Sequence, residues 1–156
     1  MRVIVLNAAR SIALVCIAAA FACADAHDDV IDAVTSMAGA LSENGDPAVT
    51  RTANVAKFMS VFSKDMPDYD ALENNVTALV NSGGVSSSVE PLTEDGNDQM
   101  YKIDLDWLLE IRSLQQDGPM VRRRQVVHCE LRKEKKHWKI VGLKPIDFFA
   151  PPSLGK

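Results

Sequence analysis

Asp104 and Asp106 stand two residues apart in "YKIDLDWLLEIR", a spacing that on a strand puts both carboxylates on one face, roughly 7 Å apart. Two carboxyls so placed can divide acid and base roles, the charge of one raising the pKa of the other. The simpler reading is the polar face of a half-buried strand, paired with cations on the next strand. Those cations stand in "MVRRRQVVHCELRKEKKHWKIVGL", residues 120–143, which hold eight of the chain's seventeen Lys and Arg. A basic run of this kind invites a nucleic-acid reading, and strand parity argues against it. Val121, Arg123, Gln125, Val127, Cys129 and Leu131 take one face; Arg122, Arg124, Val126, His128, Glu130 and Arg132 take the other. A phosphate-tracking surface needs its cations together, with aromatic rings to stack bases, and no aromatic residue lies between 120 and 137. Arg122 and Arg124 are instead expected opposite Asp104, Asp106 or Glu110, where cross-strand opposite charges stabilise a sheet. Arg123 shares the face of Val121 and Val127 and has no role legible in the sequence.

Other chemically capable residues are weaker. His128 and Cys129 are adjacent, so on a strand they point to opposite faces and cannot share a metal or act as base and nucleophile. Cys129, on the face of Val127 and Leu131, reads as a small buried hydrophobe. His137 reaches His128 only if the hairpin register brings it there. Trp107 and Trp138 fall among alternating apolar neighbours and read as core. Asn75-Val76-Thr77 matches a glycosylation sequon but falls inside a helical stretch. Glycine-rich phosphate loops, HExxH, GxSxG and paired CxxC are absent from the sequence. No cofactor and no metal is expected.

The elements that must position these residues follow from periodicity. Over 28–44, Val30, Val34, Met37, Ala38 and Leu41 share one helical face, with Asp28, Asp29 and Asp32 in the first turn and Asn44-Gly45 as a stop. Asp46-Pro47 starts a second helix whose Val55, Phe58, Met59, Phe62 and Met66 recur at helical spacing until Pro67. Asp68 is expected to cap a third, with Tyr69, Leu72, Val76, Leu79 and Val80 as its apolar stripe, closed by Asn81-Ser82-Gly83-Gly84. Thereafter the period is two. "VSSSVEPL" is a short strand, Glu94-Asp95-Gly96-Asn97 a turn, and the strand around Asp104 has Ile103, Leu105, Trp107, Leu109 and Ile111 inward. Gln116-Asp117-Gly118-Pro119 and Glu134-Lys135-Lys136 turn the chain into two more strands. Helices followed by an antiparallel meander make an α+β fold.

The ends bound the domain. Residues 1–26 have a basic start, Arg2 and Arg10, and the apolar stretch "SIALVCIAAAFA"; they read as a secretory signal, too short to span a bilayer. Cleavage fits after Ala26, the preferred site, or after Ala24, and Cys23 is a less favoured candidate for a lipid anchor. Export leaves 27–150 as one domain and 151–156 as a mobile tail, with Cys129 as its one cysteine, so the fold stands without a disulfide. Residues 27–100 hold thirteen Asp and Glu against three Lys and Arg, whereas 101–156 hold seven against twelve. Acidic helices on a basic sheet neutralise each other, and the acidic whole repels an anionic polymer.

This pattern, with "FSKDMPDYDAL" where the last two helices meet and "HWKIVGLKPIDFF" closing the chain, resembles the nuclear-transport-factor-2-like superfamily, the α+β cone shared with SnoaL-like cyclases and ketosteroid isomerases. The resemblance implies three helices packed on a curved antiparallel sheet. Family enzymes place a strand or hairpin between the second and third helices; here Asp65-Met66-Pro67-Asp68 joins them, which implies a sheet trimmed to four strands. The family's catalytic Asp and His have no matching motif, so no catalytic residue carries over. The preferred reading is non-catalytic binding of a small apolar or amphipathic ligand between helices and sheet, with Asp104, Asp106, Arg122 and Arg124 as polar anchors near the mouth. The alternatives are a homodimeric interaction domain pairing through the sheet and an isomerase or cyclase with an Asp base.

Overall fold

The structure, a computed structural model, describes residues 26–42, 47–114 and 118–152. The signal segment up to Asp25, the Asn44-Gly45 stop, the Asp46 cap, the first half of the 116–119 turn (Gln116 and Asp117) and the last four residues of the tail lie outside it. Helix α1 covers 26–40, and its apolar stripe buries Val30, Val34, Met37, Ala38 and Leu41 to 2 % exposure or less. Helices α2 (Pro47–Met59) and α3 (Tyr69–Ser82) follow, and then four strands, β1 (Gly83–Gly96), β2 (Met100–Ser113), β3 (Met120–Glu134) and β4 (His137–Lys144), with a 3-10 turn at Ile146–Phe149. The strands form an antiparallel meander in the order β1-β2-β3-β4. Fold class and strand number agree with the sequence reading.

The helices cover one face of this sheet. From β2 inward come Ile103, Leu105, Trp107, Leu109 and Ile111, all at most 2 % exposed, and from β3 Val127, Cys129 and Leu131. Trp107 is the hub. Its ring meets Phe149 edge-on at 4.9 Å, Phe148 at 6.2 Å and Phe58 at 6.4 Å, spacings at which aromatic pairs attract. Its indole nitrogen donates to Ser87 Oγ at 2.9 Å, so the burial leaves no polar atom of that side chain unpaired.

Three local readings are corrected. The second helix ends at Met59, not at Met66. Phe62 and Met66 are buried at 4 % exposure, but the chain reaches them by leaving the helix. Phe62 bridges Ile140 in parallel, Ile140 N–H donates to Val61 O at 2.9 Å, and Ser63 N–H donates to Ile140 O at 2.9 Å. Apolar spacing near 3.6 survives because both residues still face the core, while the hydrogen bonds go to the sheet. Asp68 precedes α3 as expected but makes no side-chain cap and lies in the left-handed region at φ 66°; its carbonyl accepts from Leu72 N–H at 2.9 Å. Strand β1 runs on to Gly96, past the expected turn, which tightens at Asn97: its side-chain oxygen accepts from Gln99 and Met100 N–H at 2.9 and 3.0 Å. A bulge between Pro91 and Thr93 absorbs the extra length.

Each sheet edge is capped at one point. At β1, Ser42 Oγ accepts from Ser87 N–H at 3.1 Å and donates to Ser87 O at 3.4 Å. Ser87 therefore turns its backbone polar groups away from β2, and Pro91, of the same parity, places its missing N–H on that open side. At β4, residues 61–63 occupy the edge as described above. Gly83 opens β1 so close to β2 that a Cβ there would stand 2.1 Å from Arg112 O.

Candidate functional site

The sheet face turned from the helices carries the residues singled out in the sequence. Along β2 its outward side chains include Lys102, Asp104, Asp106, Leu108 and Glu110; along β3 they include Arg122, Arg124, Val126, His128, Glu130 and Arg132. Strand register makes them neighbours. Arg122 Nε donates to Glu110 Oε1 at 2.6 Å. Arg124 grips Asp106 through Nε, 3.0 Å from both carboxylate oxygens, and through Nη2, 2.6 Å from Oδ2. His128 Nδ1 lies 2.6 Å from Asp104 Oδ1, and Thr93 Oγ1 donates to Asp104 Oδ2 at 2.7 Å. Lys102 and Glu130 complete the row at 3.3 Å. The outer face is a ladder of three cross-strand ion pairs and the His128–Asp104 hydrogen bond.

Asp106 and Arg124 meet as expected. Arg122 meets Glu110, the third of the acids named for it, and Asp104 takes a partner the sequence did not name, His128. The four anchors do not stand at a mouth between helices and sheet. Strand alternation sends them to the other side, and that inner space is lined by the Trp107 cluster. His137 stands opposite Glu134, whereas His128 stands opposite Lys144, so the two histidines sit at opposite ends of β4.

The electrostatics suit a ladder better than a base. The hydrogen bond from Arg124 holds the Asp106 carboxyl below the usual carboxylate range, and those from His128 and Thr93 do the same for Asp104. A carboxylate base working near neutral pH needs the opposite shift. Burial pushes the Cys129 thiol up to about 12, which makes it inert. Among the described residues no three His, Cys, Asp or Glu side chains are grouped to hold a metal ion.

Arg123 has a structural answer. From the inner parity of β3 it donates to the carbonyls of Phe148 (3.0 Å) and Ala150, clamping the segment that carries Phe148 and Phe149 into the core. That partner lies some 25 residues downstream, beyond the reach of local pattern. A cleft of about 480 Å³ lies elsewhere, lined among others by Ser60, Ser63, Tyr69, Glu73, Glu134 and Lys139. None of the four anchors lines it.

Comparison with solved structures now has a geometry to meet. A candidate aromatic ring hydroxylase from Novosphingobium aromaticivorans superposes with a TM-score of 0.56 at 13 % identity, over 76 % of this chain and 86 % of that one. A Nostoc punctiforme protein of unknown function with a cystatin-like fold gives 0.54 at 11 % identity, over 74 % and 85 %. The chain shares the cystatin-like α+β fold of that protein. A third structure, of a Mycobacterium tuberculosis protein of unknown function, gives 0.56 at 11 % identity, over 77 % of this chain and 72 % of that one. At such identities the likeness is one of fold alone. No protein-family model and no curated protein matches the sequence.

Proposed function

We propose that this cone is a non-catalytic interaction domain whose working surface is the outer sheet face and whose partner is a second copy of the chain. The observation that carries the reading is the self-complementary ladder: acids predominate on β2 (Asp104, Asp106, Glu110) and cations on β3 (Arg122, Arg124, Arg132), and the signs exchange at Lys102 and Glu130, which also face each other across the register. A two-fold axis running along the strands between β2 and β3 lays the β2 of each copy over the β3 of the other, so acid meets base twice.

Three further features support it. The outer face is the sheet surface that the helices leave uncovered. Leu108 and Val126, the latter 39 % exposed, give the ladder a small apolar centre within a charged rim, the usual anatomy of an interface. Strands of these lengths, at about 3.3 Å per residue and about 4.8 Å apart, make a face of roughly 800 Å², close to the ~800 Å² that each partner of a specific interface buries. A small ligand in the cone, the reading the sequence preferred, has the fold in its favour, but the space it needs holds Trp107, Phe58, Phe148 and Phe149.

The test uses two variants that shift the charge of the face in opposite directions. Arg122→Glu with Arg124→Glu moves it four charges toward acid, and Asp106→Lys with Glu110→Lys moves it four charges toward base. Each alone should lose self-association by ~10-fold or more, and an equimolar mixture should associate. Association of either variant as strong as that of the parent would end the proposal.

A further inference from the structure

A second cleft, of about 250 Å³, lies at the β4 margin of the sheet, lined by Pro67, Asp68, His128, Glu130 and the 141–144 stretch of β4. Strand register explains why it exists. Gly142 stands opposite Glu130 and Lys144 opposite His128, while a bulge at Glu130–Leu131 leaves Val141 as the extra residue of β4. Leu143 turns inward at 3 % exposure, so Gly142 and Lys144 face outward with Glu130 and His128. At Gly142 the outward row has no side chain, and the cleft has its floor there. A Cβ added at that point would meet Glu130 Cβ at 3.4 Å.

Three polar groups of the lining are either held in place or left without a partner. Asp68 sits at φ 66°, a left-handed conformation that Asp and Asn tolerate and most residues avoid, yet its carboxylate makes no cap for α3. Lys144 has no ion-pair partner among the described residues. Opposite charges therefore border one cleft without closing on each other. His128 is fixed from behind: its Nδ1 lies 2.6 Å from Asp104 Oδ1, and Thr93 holds the other oxygen of that carboxylate. An ionised carboxylate only accepts, so Nδ1 carries a proton and Nε2 is left as an acceptor in the neutral ring.

We propose that this cleft binds a small zwitterion, an α-amino acid with a short apolar side chain. The ligand's ammonium only donates and meets Asp68 and His128 Nε2; its carboxylate only accepts and meets Lys144. Its side chain rests on Pro67 and Val141. A ligand with one charge answers half of the lining and leaves the other half unpaired. The volume falls just below the ~300–1,000 Å³ of sites for drug-sized ligands, which suits a molecule of this size. The charges proposed to pair the sheet faces lie on β2 and β3, so the two readings stand apart.

The experiment titrates the 156-residue chain with L-alanine and L-valine by calorimetry, with acetate and methylammonium as single-charge controls. Saturable binding of an amino acid is expected, with each control weaker by roughly tenfold or more. Asp68→Asn, which keeps a side chain suited to the left-handed turn, and Lys144→Gln should each weaken binding by a similar factor at unchanged melting temperature. Gly142→Ala, which raises the floor, should weaken it too. No binding of either amino acid up to roughly 10 mM, controls that bind equally well, or full affinity in Asp68→Asn and Lys144→Gln would each overturn the proposal. A chain that sediments as a monomer and still binds the amino acid would remove the pairing of the faces and leave this site standing.

Discussion

The two faces of this sheet are built from the same strands and obey opposite rules. Inward, β2 and the Val127–Leu131 stretch of β3 present apolar side chains locked around Trp107, with Cys129 as a hydrophobe among them, and Arg123 clamps the segment that carries Phe148 and Phe149. Outward, one residue along in each case, they present paired charges that remain largely solvated: the Arg122 and Arg124 side chains are 67 % and 66 % exposed. Exposed ion pairs contribute little to stability. The inner face therefore holds the fold, and the outer face is free to hold something else.

That division can be broken at several points. The largest contrast is chemical: with its thiol near 12, native Cys129 should alkylate at pH 8 roughly a thousandfold more slowly than the unfolded chain, and ready labelling of folded protein would mean the inner face opens. Trp107→Ala should cost about 3 to 5 kcal/mol in a denaturant titration; a loss below about 1 kcal/mol would show that the aromatic cluster is not the hub. Arg123→Gln removes charged donors from two carbonyls and should cost about 1.5 to 3 kcal/mol, with loosening of Phe148 and Phe149 visible in near-ultraviolet circular dichroism. The smallest effect concerns acid. The Asp104, Asp106 and Glu134 carboxyls are held low by their partners in the folded state, so their contribution is fully present above the ordinary carboxylate pKa of about 4. It is lost as pH falls through the lowered values. Asp104→Asn and Asp106→Asn should each flatten that acid limb and leave stability at pH 7 little changed. A large loss at neutral pH would blur the distinction between the faces.

What the sequence disclosed divides along the same line. Alternation from Ile103 to Ile111 revealed which side chains of β2 point inward, because burial has a period of two and one sign. Which outward residue meets which depends on register, and register is set at the turn around residues 114–119. A slip of two residues there keeps every face intact and changes every partner, so the Arg124–Asp106 pair was foreseeable as a class and the His128–Asp104 pair was not. Phe62 and Met66 misled for a related reason: helical spacing reports a buried side, and the segment keeps that side while exchanging helix bonds for a bridge to Ile140. Arg123 was illegible because its acceptors belong to a segment that only the folded chain brings near.

The central claim, that the outer face exists to meet its own copy, is tested most directly by the mass of the particle in solution. Sedimentation equilibrium of residues 26–156, at concentrations on the order of tens of micromolar and at low and high salt, should return twice the chain mass, shifting toward one as salt screens the ladder. A single-chain mass throughout that range would contradict the account.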